Sequence, residues 1–159
     1  KITAFSTTPQ LDYVEGDATP AYGGALTQAV RKVWYLRGVN AAVVVDALAS
    51  ATPRKFEWNF HSYVPMQTGE NGKVIVTKDG QSVCLIPVST GMPIAFEKRT
   101  GPPPKAGTVE DHGALVHTVL QLKAEFVVVL DVGCSNPAPV FDPVARTLKV
   151  GAQTVTIPK

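Results

Sequence analysis

The stretch VVVDALASATPRKFEWNFHSYVP, from Val43 to Pro65, contains the patterns that decide the fold. Three valines run into Asp46, which is typical of a central strand in packed sheets. After a loop, one face of aromatic side chains alternates with one polar face: Phe56, Trp58 and Phe60 against Glu57, Asn59 and His61. Because successive side chains of a strand point to opposite faces, the aromatic face is predicted to be core. The stretch raises the question of why an acid and a histidine end these two runs.

The rest of the chain repeats short apolar runs that are rich in Val, Thr and aromatic residues and bounded by Gly, Pro, Asn and Asp. Helix signals are weak, and Ala25–Val33 is interpreted as strand because it continues without a break into VWYLR. The candidate strands are Ile2–Ser6, Gln10–Glu15, Gln28–Arg37, Ala41–Leu48, Lys55–Ser62, Lys73–Thr77, Ser82–Pro87, Ile94–Lys98, Gly113–Lys123, Glu125–Val132, Val140–Asp142, Thr147–Val150 and Ala152–Ile157. This pattern predicts an all-β fold, an antiparallel two-sheet β-sandwich formed by a single domain over residues 1–159.

The composition excludes several classes of partner. The chain of 159 residues has a net charge of +2 and is 18% charged, which is too balanced for a nucleic-acid footprint or a basic membrane-binding surface. No apolar run approaches the roughly 20 residues that a membrane span needs. The opening KITAFSTTPQ has the pattern of folded sequence rather than of a signal peptide, as in an excised domain or a mature product.

Two further segments leave alternatives open. Cys84 and Cys134 could form a disulfide, but two buried thiols are an equal alternative because cysteine is among the most buried residues. The segment RTGPPPKAG, Arg99–Gly107, cannot continue a strand ladder because its prolines lack N–H donors. It is predicted to be an exposed polyproline-like connector, with recognition of a proline-binding partner as the alternative.

One strand face is a candidate substrate-binding surface. If Trp34 packs inward, Arg31, Tyr35 and Arg37 point outward together. Arginine pairs with carboxylate or sulfate in a bidentate way, and tyrosine offers a ring for stacking. These three residues therefore predict binding of an anionic polymer; the alternative is a solvated face with incidental ion pairs.

Asp46 and His61 are candidate metal ligands, although simple geometry disfavours a shared ion. A hairpin around the Ser50–Pro53 loop would place them on one face but about 13 Å apart, at about 3.3 Å per residue. Of the other histidines, His112 is expected to be exposed and His117 to be a structural core residue. The chain contains no GxSxG, P-loop, HExxH or GxGxxG motif, and no spacing singles out an activated nucleophile.

Four consecutive motifs resemble those of the heparinase II/III-like polysaccharide lyases. They comprise a GDAT-type turn ending on an aromatic residue, an R-x-V-x-Y/F-L strand, a VVxD strand and an aromatic strand closing on histidine. In this chain they read DYVEGDATPAY (Asp12–Tyr22), VRKVWYLRG (Val30–Gly38), AVVVDALAS (Ala42–Ser50) and KFEWNFHSYVP (Lys55–Pro65). Their order and spacing agree with the family over about residues 10–65.

The resemblance implies a β-sandwich that follows an N-terminal helical toroid in the full-length enzyme, in the periplasm or outside the cell. Such enzymes cleave uronate-containing polysaccharides by β-elimination, with catalytic Tyr and His residues in the toroid, so the resemblance assigns no catalytic residue here. It also implies a structural zinc ion with Asp46 and His61 as ligands. The family's upstream histidine has no counterpart in LTQAVRKV, Leu26–Val33, so the alternative for both residues is a hydrogen-bonding role.

The sequence thus predicts the C-terminal sandwich domain of a lyase for acidic polysaccharide, which supports the substrate cleft and contacts the toroid. The chain alone is expected to be catalytically inactive. A free-standing carbohydrate-binding or adhesion module is the alternative, and a purely structural sandwich is a third interpretation.

Overall fold

The computed structural model describes residues 1–99 and 110–158. Most of the predicted loop Arg99–Gly107 lies outside these residues. Within the described part the chain contains short 3₁₀ helices at Thr19–Tyr22, Arg37–Val39 and Glu70–Gly72, and no helix there is long and apolar enough to cross a membrane. The strands are β1 (Ile2–Thr7), β2 (Leu11–Asp17), β3 (Gln28–Leu36), β4 (Ala41–Arg54), β5 (Glu57–Ser62), β6 (Met66–Thr68), β7 (Val74–Lys78), β8 (Gln81–Val88), β9 (Ile94–Arg99), β10 (Asp111–His117), β11 (Gln121–Val132), β12 (Val140–Asp142), β13 (Thr147–Val150) and β14 (Gln153–Thr156).

The strands form one large sheet and two small ones. The central sheet has eight strands in the order β1-β2-β3-β4-β11-β8-β7-β6. The β5 sheet has the order β5-β10-β9, and the C-terminal sheet has the order β12-β13-β14. Paired strands run antiparallel. The predicted all-β antiparallel sandwich is confirmed, with a third layer that the sequence did not indicate.

The apolar runs of the sequence belong to strands that are covered on both faces. In β4, Val43 and Val45 pack into a core shared with the C-terminal sheet, whereas Val44 packs into a core shared with the β5 sheet. In β11, Val127 and Val128 divide between the same two cores. A strand buried on both faces has no solvent face on which to place polar residues, which explains the uninterrupted valines.

The predicted hairpin between the VVxD strand and the aromatic strand is wrong. β4 continues to Arg54, and Asp46 is opposite Arg31 and Phe126 rather than opposite a residue near Glu57. β5 pairs with β10 in the small sheet instead. The physical reason is that Trp58 on β5 buries its side chain against the face of the central sheet, which an edge-to-edge hairpin would not allow.

Cys84 and Cys134 form a disulfide, which decides between the two alternatives left open by the sequence. Cys84 is fully buried in β8, and the Cα atoms of the two residues are 5.2 Å apart. The loop after β11 is also fixed by Asp131, whose carboxylate accepts hydrogen bonds from the backbone N–H of Asn136 at 3.0 Å and from its side-chain Nδ2 at 2.7 Å. The disulfide therefore joins β8 to a loop that is already ordered by polar contacts.

Removing this disulfide should destabilise the fold by about 4 kcal/mol, because the bond closes a long loop in the unfolded chain. The loop spans a sequence separation of 50 residues. Urea unfolding of the Cys84→Ala/Cys134→Ala variant, followed by tryptophan fluorescence, checks this value. The wild-type chain unfolded with and without reductant is the control. Equal unfolding midpoints in all three samples would contradict the prediction.

Candidate binding site

The acid that ends the VVxD run is paired with an arginine. Arg31 on β3 is directly opposite Asp46 on β4 in the central sheet. The guanidinium donates from Nε to Oδ1 at 2.7 Å and from Nη2 to Oδ2 at 2.6 Å. The Asp46 side chain is only 10% exposed, whereas that of Arg31 is 55% exposed. The hydrogen bonds to Asp46 raise the pKa of Arg31, and the carboxylate charge adds to this effect. The pair is a bidentate, charge-assisted contact at the edge of the core.

The β5 sheet supplies the surface beneath this pair. The guanidinium carbon of Arg31 lies 5.8 Å from the centroid of the Trp58 ring, which is within the range of a cation–π contact. Trp58 is buried, and its indole Nε1 has no hydrogen-bond partner among the described residues. Arg31 is thus held from two sides, by a carboxylate in its own sheet and by an aromatic ring in the next.

The GDAT turn places a tyrosine beside the same arginine. The Asp17 carboxylate accepts a hydrogen bond from the Thr19 backbone N–H at 2.8 Å, and the Thr19 hydroxyl accepts one from the Ala29 N–H at 2.8 Å. The turn is therefore anchored to β3. It leads into the 3₁₀ helix that ends at Tyr22, whose side chain is exposed.

A cleft of about 250 Å³ opens between the GDAT turn and the two paired strands. Its charged lining is the Arg31–Asp46 pair, and Tyr22 and Leu48 also line it. The remaining lining residues are Ala18, Ala29 and Val30. The cleft therefore combines an anchored guanidinium with an aromatic ring and small apolar walls, a lining suited to a sugar that carries a carboxylate.

The other two predicted substrate-binding residues lie further along β3. Tyr35 is on the same face as Arg31, separated from it by Val33, and its hydroxyl donates to Asn40 Oδ1 at 2.8 Å. Arg37 lies beyond the strand in a 3₁₀ turn, where Nη2 donates to both oxygens of Asp12 at 2.7 and 2.8 Å. Substrate binding by these residues stays a prediction, and the structure pairs each of the two arginines with its own carboxylate.

The structure does not bring Asp46 and His61 together. His61 belongs to the β5 sheet, where its Nδ1 contacts Glu110 and its ring stacks on His112 with centroids 4.2 Å apart. Both Asp46 oxygens face the Arg31 guanidinium. Among residues 1–99 and 110–158, no group of three or more His, Cys, Asp or Glu side chains could hold a metal ion. These residues do not fit a shared zinc ion in this arrangement, and zinc binding stays a prediction.

The remaining histidines differ in exposure. His112 is half-buried, and its Nε2 lies 3.0 Å from Asn59 Oδ1. His117 is fully buried, with Nε2 at 3.2 Å from the Glu125 carbonyl oxygen. The core position predicted for His117 is confirmed.

Sequence reasoning did not predict the contact between Arg31 and Asp46, nor the place of Tyr22 and Trp58 beside it. A usable signal was present, since all four residues lie in the four motifs that carry the family resemblance. These residues meet because β5 packs on the face of the central sheet. The predicted hairpin instead placed β5 edge to edge with β4, so the contact could not be predicted.

Comparison with known proteins supports a likeness of fold. No protein-family model and no curated protein matches the chain. Among solved structures, heparan sulfate lyase HepC from Pedobacter heparinus matches with a TM-score of 0.71 and 13% identity, over 99% of this chain and 28% of that one. A mutant of HepC matches with a TM-score of 0.72 and 12% identity, over 99% of this chain and 27% of that one. The heparinase III BT4657 gene product matches with a TM-score of 0.71 and 13% identity, over 98% of this chain and 27% of that one. What these chains share is a fold.

The chain spans about a quarter of the length of these neighbours. Its similarity to heparin lyases is therefore a similarity to one part of a larger protein.

Removing Arg31 should lower the free energy of unfolding more than removing the charge of its partner Asp46. Arg31→Met leaves the buried Asp46 carboxylate unpaired and should lower the free energy of unfolding by about 2–4 kcal/mol. Asp46→Asn leaves a half-exposed guanidinium that water can hydrate, so the loss should be about 1 kcal/mol. Urea unfolding of both variants measures the difference. Arg37→Met removes an arginine from a more exposed pair and is the control, with a loss below about 1 kcal/mol. An equal or reversed order for Arg31 and Asp46 would contradict the prediction.

The ion pair between Asp12 and Arg37 should lower the pKa of Asp12, and a pH titration can detect this. A hydrogen bond from Thr7 and the neighbouring Arg37 lower the pKa of Asp12 below its ordinary value of 3.8. Its stabilising contribution is therefore present above about pH 3.8 and is lost as the pH falls through the lowered value. In Arg37→Gln the pKa of Asp12 should rise but stay below 3.8, because Thr7 still donates.

Carboxyl-carbon NMR of wild type and Arg37→Gln measures this shift. Asp17, whose pKa is lowered by Thr19, is the internal control and should not change. An unchanged Asp12 titration would show that Arg37 does not act on this carboxylate.

Proposed function

We propose that this chain is the β-sandwich domain of a polysaccharide lyase that cleaves an acidic, uronate-containing polysaccharide by β-elimination. The domain supports one wall of the substrate cleft and contacts a helical toroid domain of the same protein. Two observations support this proposal: the fold resembles that of heparan sulfate lyases over nearly the whole chain, and the chain spans only about a quarter of those proteins.

The observation that carries the proposal is the convergence of four separate motifs around the Arg31 guanidinium. Tyr22 comes from the GDAT turn, Arg31 from the following strand, Asp46 from the VVxD strand and Trp58 from the aromatic strand. In the structure these residues adjoin the same guanidinium or contact it directly. A common site gives a functional reason for residues that are far apart in the sequence, whereas separate structural roles would not require them to meet.

The chemistry of β-elimination indicates what this site can contribute. A base removes the proton α to the uronate carboxyl, and the C–H electron pair forms the new double bond. The glycosidic C–O bond breaks, and an acid protonates the leaving oxygen. Negative charge builds up on the carboxyl group during this step, so a guanidinium beside it would stabilise the transition state. Arg31 can serve in this role, while the base and the acid belong to the toroid domain.

The proposal includes a periplasmic or extracellular location. The Cys84–Cys134 disulfide supports it, because disulfides persist mainly in oxidising compartments. The helical partner domain would supply the catalytic Tyr and His that the family resemblance implies.

Binding and activity assays of the purified chain test this function. In affinity electrophoresis the chain should be retarded by alginate or heparan sulfate but not by neutral dextran. It should produce no unsaturated-uronate absorbance from either acidic polymer, because the proposal assigns the base and the acid to the toroid domain. The lyase-domain proposal would be overturned if neither acidic polymer retards the chain, or if the chain alone releases unsaturated product.

A further inference from the structure

We propose that the glycan-binding surface is a continuous groove that passes Tyr22, with Arg31 at one end and Arg54 and Lys55 at the other. It would bind several consecutive sugar residues of a carboxylate-bearing polysaccharide. This inference rests on the proposed function and specifies where the polymer lies. It adds a second cationic subsite, formed by two residues that the sequence did not single out.

The groove consists of two clefts that share a wall. The first is the cleft of about 250 Å³ beside Arg31. The second has a volume of about 320 Å³, and Tyr22 and Leu48 line both clefts. The other residues of the second cleft are Ala25, Leu26, Arg54, Lys55, Phe56 and Glu57. Tyr22 therefore stands at the junction, where its exposed ring can stack on the apolar face of a sugar.

The charges of the second cleft favour an anionic ligand. Glu57 is already paired with Arg99 at 2.7 Å, and Lys55 lies 3.6 Å from Glu97. Arg54 makes no ion pair within the described part of the chain. A carboxylate entering this cleft would thus meet a cation that forms no ion pair with an acid among residues 1–99 and 110–158, which is the complementary charge that binding requires.

The first cleft offers a prepositioned donor. Arg31 uses Nε and Nη2 for its bonds to Asp46, and its Nη1 donates to no described residue. The carboxylate and the Trp58 ring restrict the guanidinium before any ligand arrives. Binding therefore costs less side-chain entropy than it would with a free arginine.

The length of the groove suits a polymer rather than a single sugar. Asp46 and Arg54 are eight positions apart on β4, at most about 26 Å at about 3.3 Å per residue. Asp46 and Arg54 are opposite Phe126 and Gln121 of β11, which are only five positions apart, so the irregularity in β4 shortens the span to about 17 Å at about 3.3 Å per residue. A ligand that reaches both cations must extend over several sugar units, as a polyuronate does.

Competition electrophoresis with alginate, a carboxylate polymer without sulfate, tests the groove. Tyr22→Ala and the Arg54→Ala/Lys55→Ala variant should each bind alginate roughly tenfold more weakly than wild type. Two controls make comparable changes elsewhere: Tyr63→Ala removes an exposed aromatic ring, and Lys78→Ala/Lys149→Ala removes two exposed positive charges. Both controls should stay within about twofold of wild type. Circular dichroism of every variant confirms that it is folded.

The outcomes separate this inference from the function on which it rests. If wild type binds alginate and the groove variants bind equally well, the groove is wrong and the lyase-domain proposal stands. If the cationic control weakens binding as much as Arg54→Ala/Lys55→Ala does, the attraction is non-specific and the groove is again wrong. Dextran sulfate carries sulfate but no carboxylate. If Tyr22→Ala and Arg54→Ala/Lys55→Ala weaken its binding as much as they weaken alginate binding, the carboxylate preference is overturned.

Discussion

The burial of β4 on both faces is the constraint from which much of this structure follows. A strand that packs against a sheet on each side must be apolar along its length, and an acid in it needs a partner. Asp46 is buried in β4, and Arg31 on the neighbouring strand is its partner. The Arg31 side chain reaches from this buried carboxylate to the surface. The pairing that Asp46 needs in the core therefore places a cation at the edge of a cleft.

The sequence predicted the local structure well because alternation and turn residues are local properties. The β-rich pattern, the inward face of Trp58 and the core position of His117 depend on neighbouring residues along the chain, and all three agree with the structure. The valine run also indicated a strand in packed sheets. Its second covering layer could not be foreseen, since periodicity does not show which of several apolar strands pack on which face.

The predictions that failed or stayed open depend on contacts between distant residues. The expected hairpin between β4 and β5 assumed that consecutive strands pair, and the chain instead crosses from one sheet to another at Phe56. That single assumption also determined the expected relation of Asp46 to His61. Likewise, a separation of 50 residues between the cysteines contains no information about whether their sulfur atoms meet. The candidate site was hence visible in part as a set of residue types, while their partners became clear only in the structure.

The disulfide has a consequence for how the chain would withstand proteolysis. It joins β8 to the loop after β11, so the whole intervening segment, including β9 and β10, lies inside one covalent ring. A single backbone cut within that ring would leave both pieces attached to each other. The cut molecule would gain only the mass of one water and could keep its sheet pairings, and it would separate into two chains only after reduction. The disulfide would therefore let the domain stay in one piece after a single cut at any point between Cys84 and Cys134.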